Sequence, residues 1–386
     1  MSEAITPFHL NIAENQLKDL NRRLDTVRWP DAEPVTGWSQ GIPLDYMKEI
    51  VDYWRNEYDW RRWENMLNEF GQYKTEIDGL DIHFLHTRSP HENALPIIIT
   101  HGWPGSVTEF YKIIGPLTNP TKYGGKAEDA FHVICPSLPG YGFSGRATNT
   151  GWGVEKIGKT WGKLMDRLGY DRYVAQGGDW GAIVTQNMGI TETKHCAAIH
   201  VNMPLASPDP DTMANLTPIE QKALEDMGHY DKQESGYSKQ QSTRPQTLGY
   251  GLVDSPTAEA AWIIEKFYAW TDCGEGDDRH PENTLNKNEL LDNVMMYWLT
   301  ATGASSARLY WESFSDGTRS TDTINMPTGC SIFPKEIFRT SRRWAEKRFT
   351  NLIHWNELDK GGHFAAFEQP EIFVDELRNC FRSIRS

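Results

Sequence analysis

The feature that most constrains the fold is a glycine-rich hexapeptide that joins an apolar run to a helical stretch. The apolar run is 173–175, the hexapeptide at 176–181 reads Gln-Gly-Gly-Asp-Trp-Gly, and residues 182–188 have helical character. Small residues two positions before and after a central side chain are typical of a strained strand-to-helix turn, because they let the helix approach the strand closely. The pattern predicts that Asp179 projects alone at the carboxyl end of a strand.

An aspartate at such a turn suits one kind of covalent chemistry. Its carboxyl group is ionised well below pH 7, so it needs no base to become a nucleophile, and a histidine is free to activate water in a second step. This order of steps fits carbon electrophiles such as epoxides and alkyl halides, whose attack leaves an ester on the enzyme. The alternative interpretation is a glycine-rich turn in which the aspartate caps a helix.

Composition argues against several classes of partner. A chain of 386 residues, with 38% hydrophobic and 24% charged residues, can build a large core as one elaborated domain or two. The formal net charge of −14 argues against a nucleic-acid partner or an anionic membrane surface. No apolar stretch is long enough to span a bilayer, and the first residues lack the basic and apolar segments of a signal peptide.

The cysteines indicate a reducing location. There are five of them, widely scattered, and no pair has the spacing of metal ligands. We therefore expect free thiols, no bound metal and a cytoplasmic protein. His83 and His86 have an odd spacing on a predicted strand and so point to opposite faces, which argues against a metal pair there as well.

The order of predicted elements indicates an α/β fold with a mostly parallel sheet. Residues 1–94 form an N-terminal helical meander that ends in two strands, and residues 95–203 alternate buried strands with helices. Residues 204–322 are mainly helical and rich in aromatic side chains, which predicts a lid inserted into the core. Residues 323–386 complete the core and end in a helix. The strands expected in this last part are 323–326 and 352–355.

A histidine and an acid are expected to complete the site. His363 lies in Gly-Gly-His-Phe at 361–364, after a late strand and before the last helix, where a triad histidine lies in sheets of this kind. The acid comes between the nucleophile and the histidine in chain order. Glu336 follows the penultimate strand, 27 residues before His363. The residues alone leave three alternatives open, which are Glu312, Asp316 and Asp322.

A second glycine-rich turn follows the first core strand. It reads His-Gly-Trp-Pro-Gly at 101–105, and a tight turn here can aim the Trp103 amide at the nucleophile. The Trp180 amide is the second predicted donor, and together the two would stabilise the oxyanion that forms when water attacks an ester. The alternative is an ordinary turn at the end of a strand, for which Gly and Pro are equally suited.

A third glycine-rich segment imitates a cofactor motif. Residues 140–145 read Gly-Tyr-Gly-Phe-Ser-Gly, which matches the dinucleotide-binding pattern and follows a strand. However, residues 144–150 are polar, no helix opens at Gly145, and no acidic residue ends a strand some twenty positions later. We therefore expect no nucleotide cofactor.

Taken together, these segments resemble those of the microsomal-type epoxide hydrolases, an α/β-hydrolase family with an N-terminal meander. The resemblance covers nearly the whole chain. The segments that carry it are 53–60 and 79–84 in the meander, and 101–106, 177–181 and 361–368 in the core.

The resemblance implies more of the site than spacing does. It implies that Glu336, in Phe-Pro-Lys-Glu at 333–336, orients His363. It also implies that two lid residues, Tyr237 and Tyr310, donate to the oxygen of an opening epoxide, since the alkoxide that forms is a poor leaving group unless it is hydrogen-bonded or protonated. The implied enzyme needs no cofactor and converts an epoxide and water to a vicinal diol, a detoxifying reaction. The abundant Trp, Phe and Met residues of the lid favour a small apolar epoxide, and the alternative is that they simply pack lid on core. Residues 1–94 show no segment like the anchor helix of membrane-bound members, so we do not expect their membrane location to carry over.

Two rival functions stay open on the residues alone. A haloalkane dehalogenase would share the aspartate nucleophile, and Trp180 could cradle a halide, but the lid tyrosines and the meander argue against it. A catalytically silent hydrolase fold acting as a binding protein is the second rival, and an intact triad argues against that. A serine-type esterase is disfavoured because the turn holds no hydroxyl. The aromatic side chains of the meander are compatible with two roles, which are to hold lid and core together or to form the interface of a homodimer.

Overall fold

A computed structural model of the protein describes residues 3–314 and 322–385. Among these residues nine strands form a single sheet. The strands are β1 (Thr6–Pro7), β2 (Gln72–Ile77), β3 (Leu80–Thr87), β4 (Leu95–Thr100), β5 (Phe131–Pro136), β6 (Tyr173–Gly177), β7 (Cys196–Val201), β8 (Thr328–Ile332) and β9 (Leu352–Glu357). Their spatial order is β1-β2-β3-β5-β4-β6-β7-β8-β9. The pairs from β5 to β9 are parallel and those from β1 to β5 antiparallel, so the predicted α/β fold with a mostly parallel sheet is confirmed.

Helices cover the sheet and form the lid. Those of the described residues are α1 (Glu14–Leu24), α2 (Leu44–Asn56), α3 (Trp60–Glu69), α4 (Tyr111–Thr118), α5 (Val154–Arg167), α6 (Trp180–Thr191), α7 (Pro218–His229), α8 (Gly236–Thr243), α9 (Pro245–Asp254), α10 (Pro256–Trp270), α11 (Lys287–Trp298), α12 (Gly303–Phe314), α13 (Arg342–Arg348), α14 (Ala365–Glu368) and α15 (Pro370–Phe381). Helices α5 and α6 form one layer on the sheet, and α4 and α15 form another. Because both faces are covered, the central strands are largely apolar, as in Ile97, Ile98 and Ile99 of β4.

The N-terminal segment is joined to both the sheet and the lid. Strands β2 and β3 form the predicted hairpin, and β3 pairs with β5, so the hairpin extends the core sheet. Its helices face the lid, where Asp292 of α11 lies 2.6 Å from the Arg62 guanidinium and accepts a hydrogen bond of 2.7 Å from the Tyr58 hydroxyl. The meander therefore links lid to core, and the domain boundaries at 94, 203 and 322 stay predictions.

The helices of the predicted lid lie between β7 and β8, and the strand that follows them begins later than predicted. Residues 323–326 contribute a single bridge, from Ile324 to Phe349, and the sheet resumes at Thr328. The reason lies in close packing: a Cβ added to Gly329 of β8 would lie 2.2 Å from Cys380 Sγ on α15. The strand is built from small residues, so its sequence lacks the apolar alternation that was used to locate it.

The glycine-rich segment at 140–145 forms a compact loop. The Gly140 amide donates to the Gly145 carbonyl (2.8 Å), and the Ser144 hydroxyl donates to the Ser137 carbonyl (2.7 Å). The next helix, α5, begins only at Val154, so the loop lacks the helix start that a dinucleotide pyrophosphate needs.

Two further findings concern the described residues only. No helix among them is both long and apolar enough to cross a membrane. They also contain no cluster of three or more His, Cys, Asp or Glu side chains suited to a metal ion. His83 instead contacts Ser137 and Gln72, and His86 contacts the Tyr170 hydroxyl.

Candidate active site

The central residue of the site, Asp179, lies in the turn between β6 and α6. Its backbone has φ 51° and ψ −127°, a strained conformation that non-glycine residues rarely adopt. The surrounding glycines are required by close packing. A Cβ on Gly177 would lie 2.0 Å from the Gly181 carbonyl oxygen, and one on Gly181 would lie 1.9 Å from the Thr100 carbonyl oxygen. The sequence pattern and the strained turn therefore have the same physical origin.

The Asp179 carboxylate contacts the second glycine-rich turn. Its Oδ1 accepts a hydrogen bond of 2.8 Å from the Trp103 amide. A Cβ on Gly102 would lie 2.2 Å from the same oxygen, so only glycine lets the turn come this close. Trp180 is the first residue of α6, directly after the nucleophile. The role of its amide as a second donor stays a prediction.

His363 lies between two carboxylates. Its Nε2 is 3.2 Å from Asp179 Oδ2, and its Nδ1 is 2.6 Å from Glu336 Oε1. The imidazole and the Glu336 side chain are each 1% exposed. The His363 amide donates to the Trp270 carbonyl at the end of α10 (2.9 Å), which ties the histidine loop to the lid.

The acid is oriented by backbone and side-chain donors. Glu336 Oε1 accepts a hydrogen bond of 2.7 Å from the Ile337 amide, and Asn202 Nδ2 lies 3.5 Å from Oε2. An isolated parallel bridge joins Lys335 to Gly362, which brings the loops after β8 and β9 together. Among the candidate acids that lie within the described residues, the structure therefore brings Glu336 to His363.

The other candidate acids differ in their surroundings. Glu312 accepts a hydrogen bond of 2.8 Å from the Gly151 amide, and Asp322 is exposed. Asp316 lies outside the described residues. Glu336 is thus distinguished from Glu312 and Asp322 by its direct hydrogen bond to the histidine.

The electrostatics of the site favour a protonated histidine in the free enzyme. Burial acts to lower the pKa of His363, but the Glu336 and Asp179 carboxylates outweigh it and raise that pKa well above its ordinary value. Esterification of Asp179 would remove one of these two negative charges. The pKa of His363 would then fall, which would make the ring a better base after the first chemical step than before it.

The two lid tyrosines meet above this triad. Tyr237 belongs to α8 and Tyr310 to α12, and their ring centroids are 5.7 Å apart. The Tyr237 ring stacks on Trp103 (4.8 Å, 9°), and the Tyr310 ring meets Trp180 edge-on (4.7 Å, 84°). Burial raises the pKa of both phenols well above the ordinary value, so both carry a proton to donate at neutral pH.

The Tyr310 hydroxyl is buried and makes no direct hydrogen bond within residues 3–314 and 322–385, and the Tyr237 phenol is close enough to interact with it. Buried polar groups normally find a partner, and exceptions call for an explanation such as a bound ligand. An acceptor oxygen of a substrate would satisfy this phenol.

The sequence analysis missed several residues that support the triad. Gln176 Nε2 donates to Asn202 Oδ1 (3.0 Å), and Asn202 in turn contacts Glu336. A polar residue at the end of a buried strand, as Gln176 is in β6, was the available signal. Glu109 was also missed. Its side chain is buried beside the 102–105 turn, where a Cβ on Gly105 would lie 1.6 Å from Oε1, and burial raises its pKa to about 8.

A large cavity of about 1800 Å³ lies beside the tyrosines and does not include Asp179. Trp180, Tyr230 and Phe314 line the side of it that faces the site. Its remaining surface is mixed, with apolar residues such as Ile183, Leu205 and Leu224 beside charged ones such as Lys159, Glu192 and Arg339.

Comparison with known proteins agrees with this geometry. Residues 5–110 match the family described as epoxide hydrolase N terminus, and residues 96–228 match the α/β hydrolase fold. A protein of Stigmatella aurantiaca assigned to the epoxide hydrolases is 54% identical over 99% of this chain and 86% of its own length. Epoxide hydrolase 1 of Sus scrofa is 36% identical over 97% of this chain and 88% of its own.

Solved structures of epoxide hydrolases also superpose on nearly the whole of this chain. The juvenile hormone epoxide hydrolase of the silkworm Bombyx mori superposes with a TM-score of 0.88 at 32% identity, covering 99% of this chain and 96% of that one. The epoxide hydrolase of Aspergillus niger gives a TM-score of 0.88 at 32% identity, covering 99% and 97%. The chain belongs to the epoxide hydrolase family of α/β hydrolases, enzymes that act on epoxides through a covalent aspartyl intermediate.

Proposed function

We propose that this enzyme opens epoxides with Asp179 as the nucleophile and releases a vicinal diol. The observation that carries the assignment is the contact of Asp179 Oδ2 with His363 Nε2 at 3.2 Å, below two buried lid phenols. A carboxylate at a strand end, a histidine beside it and proton donors above it are the three groups that epoxide hydrolysis through an ester requires.

In the first step an Asp179 oxygen attacks a ring carbon. The carbon–oxygen bond to the ring oxygen breaks, and its electron pair goes to that oxygen. Tyr237 and Tyr310 donate to the oxygen as its charge develops, and a proton from a phenol converts it to a hydroxyl group. The buried phenols act in a site of low effective dielectric, where such donors stabilise charge strongly.

In the second step His363 removes a proton from water, and the hydroxide attacks the carbonyl carbon of the Asp179 ester. Glu336 holds the ring through Nδ1, which leaves Nε2 to act as the base. The Trp103 amide, 2.8 Å from Oδ1 of the free carboxylate, donates to the oxyanion that forms at this carbonyl. Collapse of the intermediate breaks the bond between the carbonyl carbon and the diol oxygen, which takes the proton held by His363. The proton of the new carboxyl group returns to the phenolate, so the diol leaves and Asp179, His363 and the lid phenol are restored.

We propose an apolar epoxide as the substrate class. Trp103, Trp180 and Trp270 surround the tyrosines, and the side of the adjoining cavity that faces them is aromatic. Such walls suit an aliphatic or aromatic substituent on the ring. The same chemistry would detoxify reactive epoxides. The five free, buried cysteines support a cytoplasmic location.

A single turnover in H₂¹⁸O tests the assignment. With enzyme in excess over styrene oxide, the new diol oxygen comes from Asp179, so the first diol should contain no ¹⁸O and the peptide bearing Asp179 should gain one ¹⁸O. Labelled diol in the first turnover would mean that water attacks the epoxide directly. A parallel reaction with 1-bromohexane should release no bromide, since two phenols match an epoxide oxygen better than a halide. Rapid bromide release would favour a dehalogenase.

A further inference from the structure

A third tyrosine lies behind one of the two lid phenols. The Tyr230 hydroxyl is 3.0 Å from the Tyr237 hydroxyl, and either can be the donor. The Tyr230 ring packs against Phe338 with a centroid distance of 4.7 Å. Among residues 3–314 and 322–385 no third hydroxyl supports Tyr310 in this way, and the polar group that interacts with its hydroxyl is the Tyr237 phenol itself. The two phenols that face the epoxide oxygen are therefore supported differently.

The backbone around Tyr230 departs from a regular helix. Residues Tyr230–Glu234 form a π-helical turn between α7 and α8, and such turns are rare and frequent at functional sites. Its last residue, Glu234, holds its carboxylate 3.6 Å from Lys266 Nζ, which lies 4.9 Å from the centre of the Tyr237 ring. The first residue of the turn thus contacts the Tyr237 hydroxyl directly, and the last contacts the lysine that lies over the Tyr237 ring.

The single proton of the Tyr237 hydroxyl makes the direction of this hydrogen bond important. If Tyr237 donates to Tyr230, its proton is not available to the epoxide. If Tyr230 donates, Tyr237 can donate to the substrate, and each bond of the chain polarises the next. Once Tyr237 has given up its proton, the bond from Tyr230 is made to a phenolate and becomes charge-assisted, about twice as strong as a neutral one.

We propose that Tyr230 is a positioning residue for ring opening, which donates to Tyr237 and stabilises the charge that Tyr237 acquires. This inference rests on the proposed function and extends it by one residue that acts through Tyr237. Ester hydrolysis depends on His363 and the Trp103 amide, so Tyr230 contributes to the first chemical step and not to the second.

Single-turnover kinetics of Tyr230→Phe test the proposal, because phenylalanine keeps the ring and removes only the hydroxyl. With styrene oxide, ester formation should slow about tenfold, the loss expected for one hydrogen bond to a group acquiring charge. Ester hydrolysis should change less than twofold. Tyr250→Phe is the matched control, since Tyr250 is 69% exposed on α9 and should leave both steps unchanged.

A double-mutant cycle separates positioning from packing. If Tyr230 acts through the Tyr237 hydroxyl, adding Tyr230→Phe to a Tyr237→Phe enzyme should slow ester formation no further. Unchanged ester formation in Tyr230→Phe, or an equal additional loss in the Tyr237→Phe background, would overturn the proposal. A wild-type enzyme that forms no ester in the same experiment would overturn the proposed function as well, so the two failures are distinguishable.

Discussion

The core half and the lid half of the site are held in place by different forces. In the core half, Asp179, His363 and Glu336 follow strand ends and are joined by contacts of 3.2 Å and 2.6 Å, with backbone donors on both carboxylates. In the lid half, Tyr237 and Tyr310 are carried by helices and fixed mainly by ring contacts with tryptophans. A side chain that follows the end of a strand can occupy few positions, whereas aromatic rings can pack against one another in many geometries.

This difference assigns the two chemical steps to two parts of the molecule. The core half supplies the nucleophile, the water-activating base and the oxyanion donor. The lid half supplies the protons that ring opening needs. Substitutions in the lid should therefore slow ester formation alone, and substitutions of the histidine should slow ester hydrolysis alone.

The largest effect is expected at the nucleophile, where both steps depend on the core half. Asp179→Asn should lower turnover by about 10⁵-fold or more, since an amide is a poor nucleophile. Circular dichroism and initial rates with styrene oxide measure fold and loss together. Asp45→Asn, at a fully exposed side chain, is the control and should be fully active. Full turnover by a variant whose mass confirms the asparagine would contradict the mechanism.

The next largest effect is expected at the two lid tyrosines, and it distinguishes the role of the lid from that of the core. Tyr237→Phe and Tyr310→Phe should each slow ester formation by about 10²-fold, within the range for general-acid catalysis, and leave ester hydrolysis nearly unchanged. Stopped-flow tryptophan fluorescence can follow both steps, since Trp103 and Trp180 contact these rings. If ester hydrolysis slowed as much as ester formation, the division of labour between the two halves would be wrong.

The smallest effect is expected at Glu109, the buried acid beside the core half, and it concerns how stability depends on pH. Burial raises the pKa of Glu109 from 4.5 to about 8, so its contribution to stability is full below pH 4.5 and is lost as the pH rises through 8. Within that window the free energy of unfolding should fall by up to about 1.4 kcal/mol per pH unit from this group. Glu109→Gln should flatten the dependence of the free energy of unfolding on pH. Its turnover at pH 6 should stay within about twofold of the wild-type value.

Urea unfolding between pH 5 and 8 measures this slope. Glu128→Gln is the matched control, because the Glu128 side chain is 74% exposed and should leave the slope unchanged. If the free energy of unfolding depended on pH equally in the wild type and in Glu109→Gln, the fold would not hold the buried carboxyl group in its protonated form.

The same contrast explains how much of the molecule the sequence could predict. The turn at Asp179 and the loop of His363 follow from local rules, because glycines and strand ends leave little freedom. No local rule selects Tyr237 and Tyr310 from fifteen tyrosines, and only the family resemblance identified them. The acid stayed ambiguous for a related reason, since the bridge from Lys335 to Gly362 that brings Glu336 to the histidine is a long-range contact.

Tyr230 and Glu109 lay outside any prediction from sequence. Their significance depends on a hydroxyl distance of 3.0 Å and on burial beside a glycine turn, which are properties of the packed molecule. The strand at 328–332 was misplaced because close packing of α15 requires small residues there, and these hide the usual apolar pattern.

The most direct test of the central claim is the intact mass of His363→Gln after mixing with styrene oxide. Removal of the water-activating base should stop the reaction at the ester. The protein should gain the full mass of the epoxide, and proteolytic mapping should locate the gain on Asp179. An unmodified protein that still makes diol at the wild-type rate, or an adduct on another residue, would contradict the account.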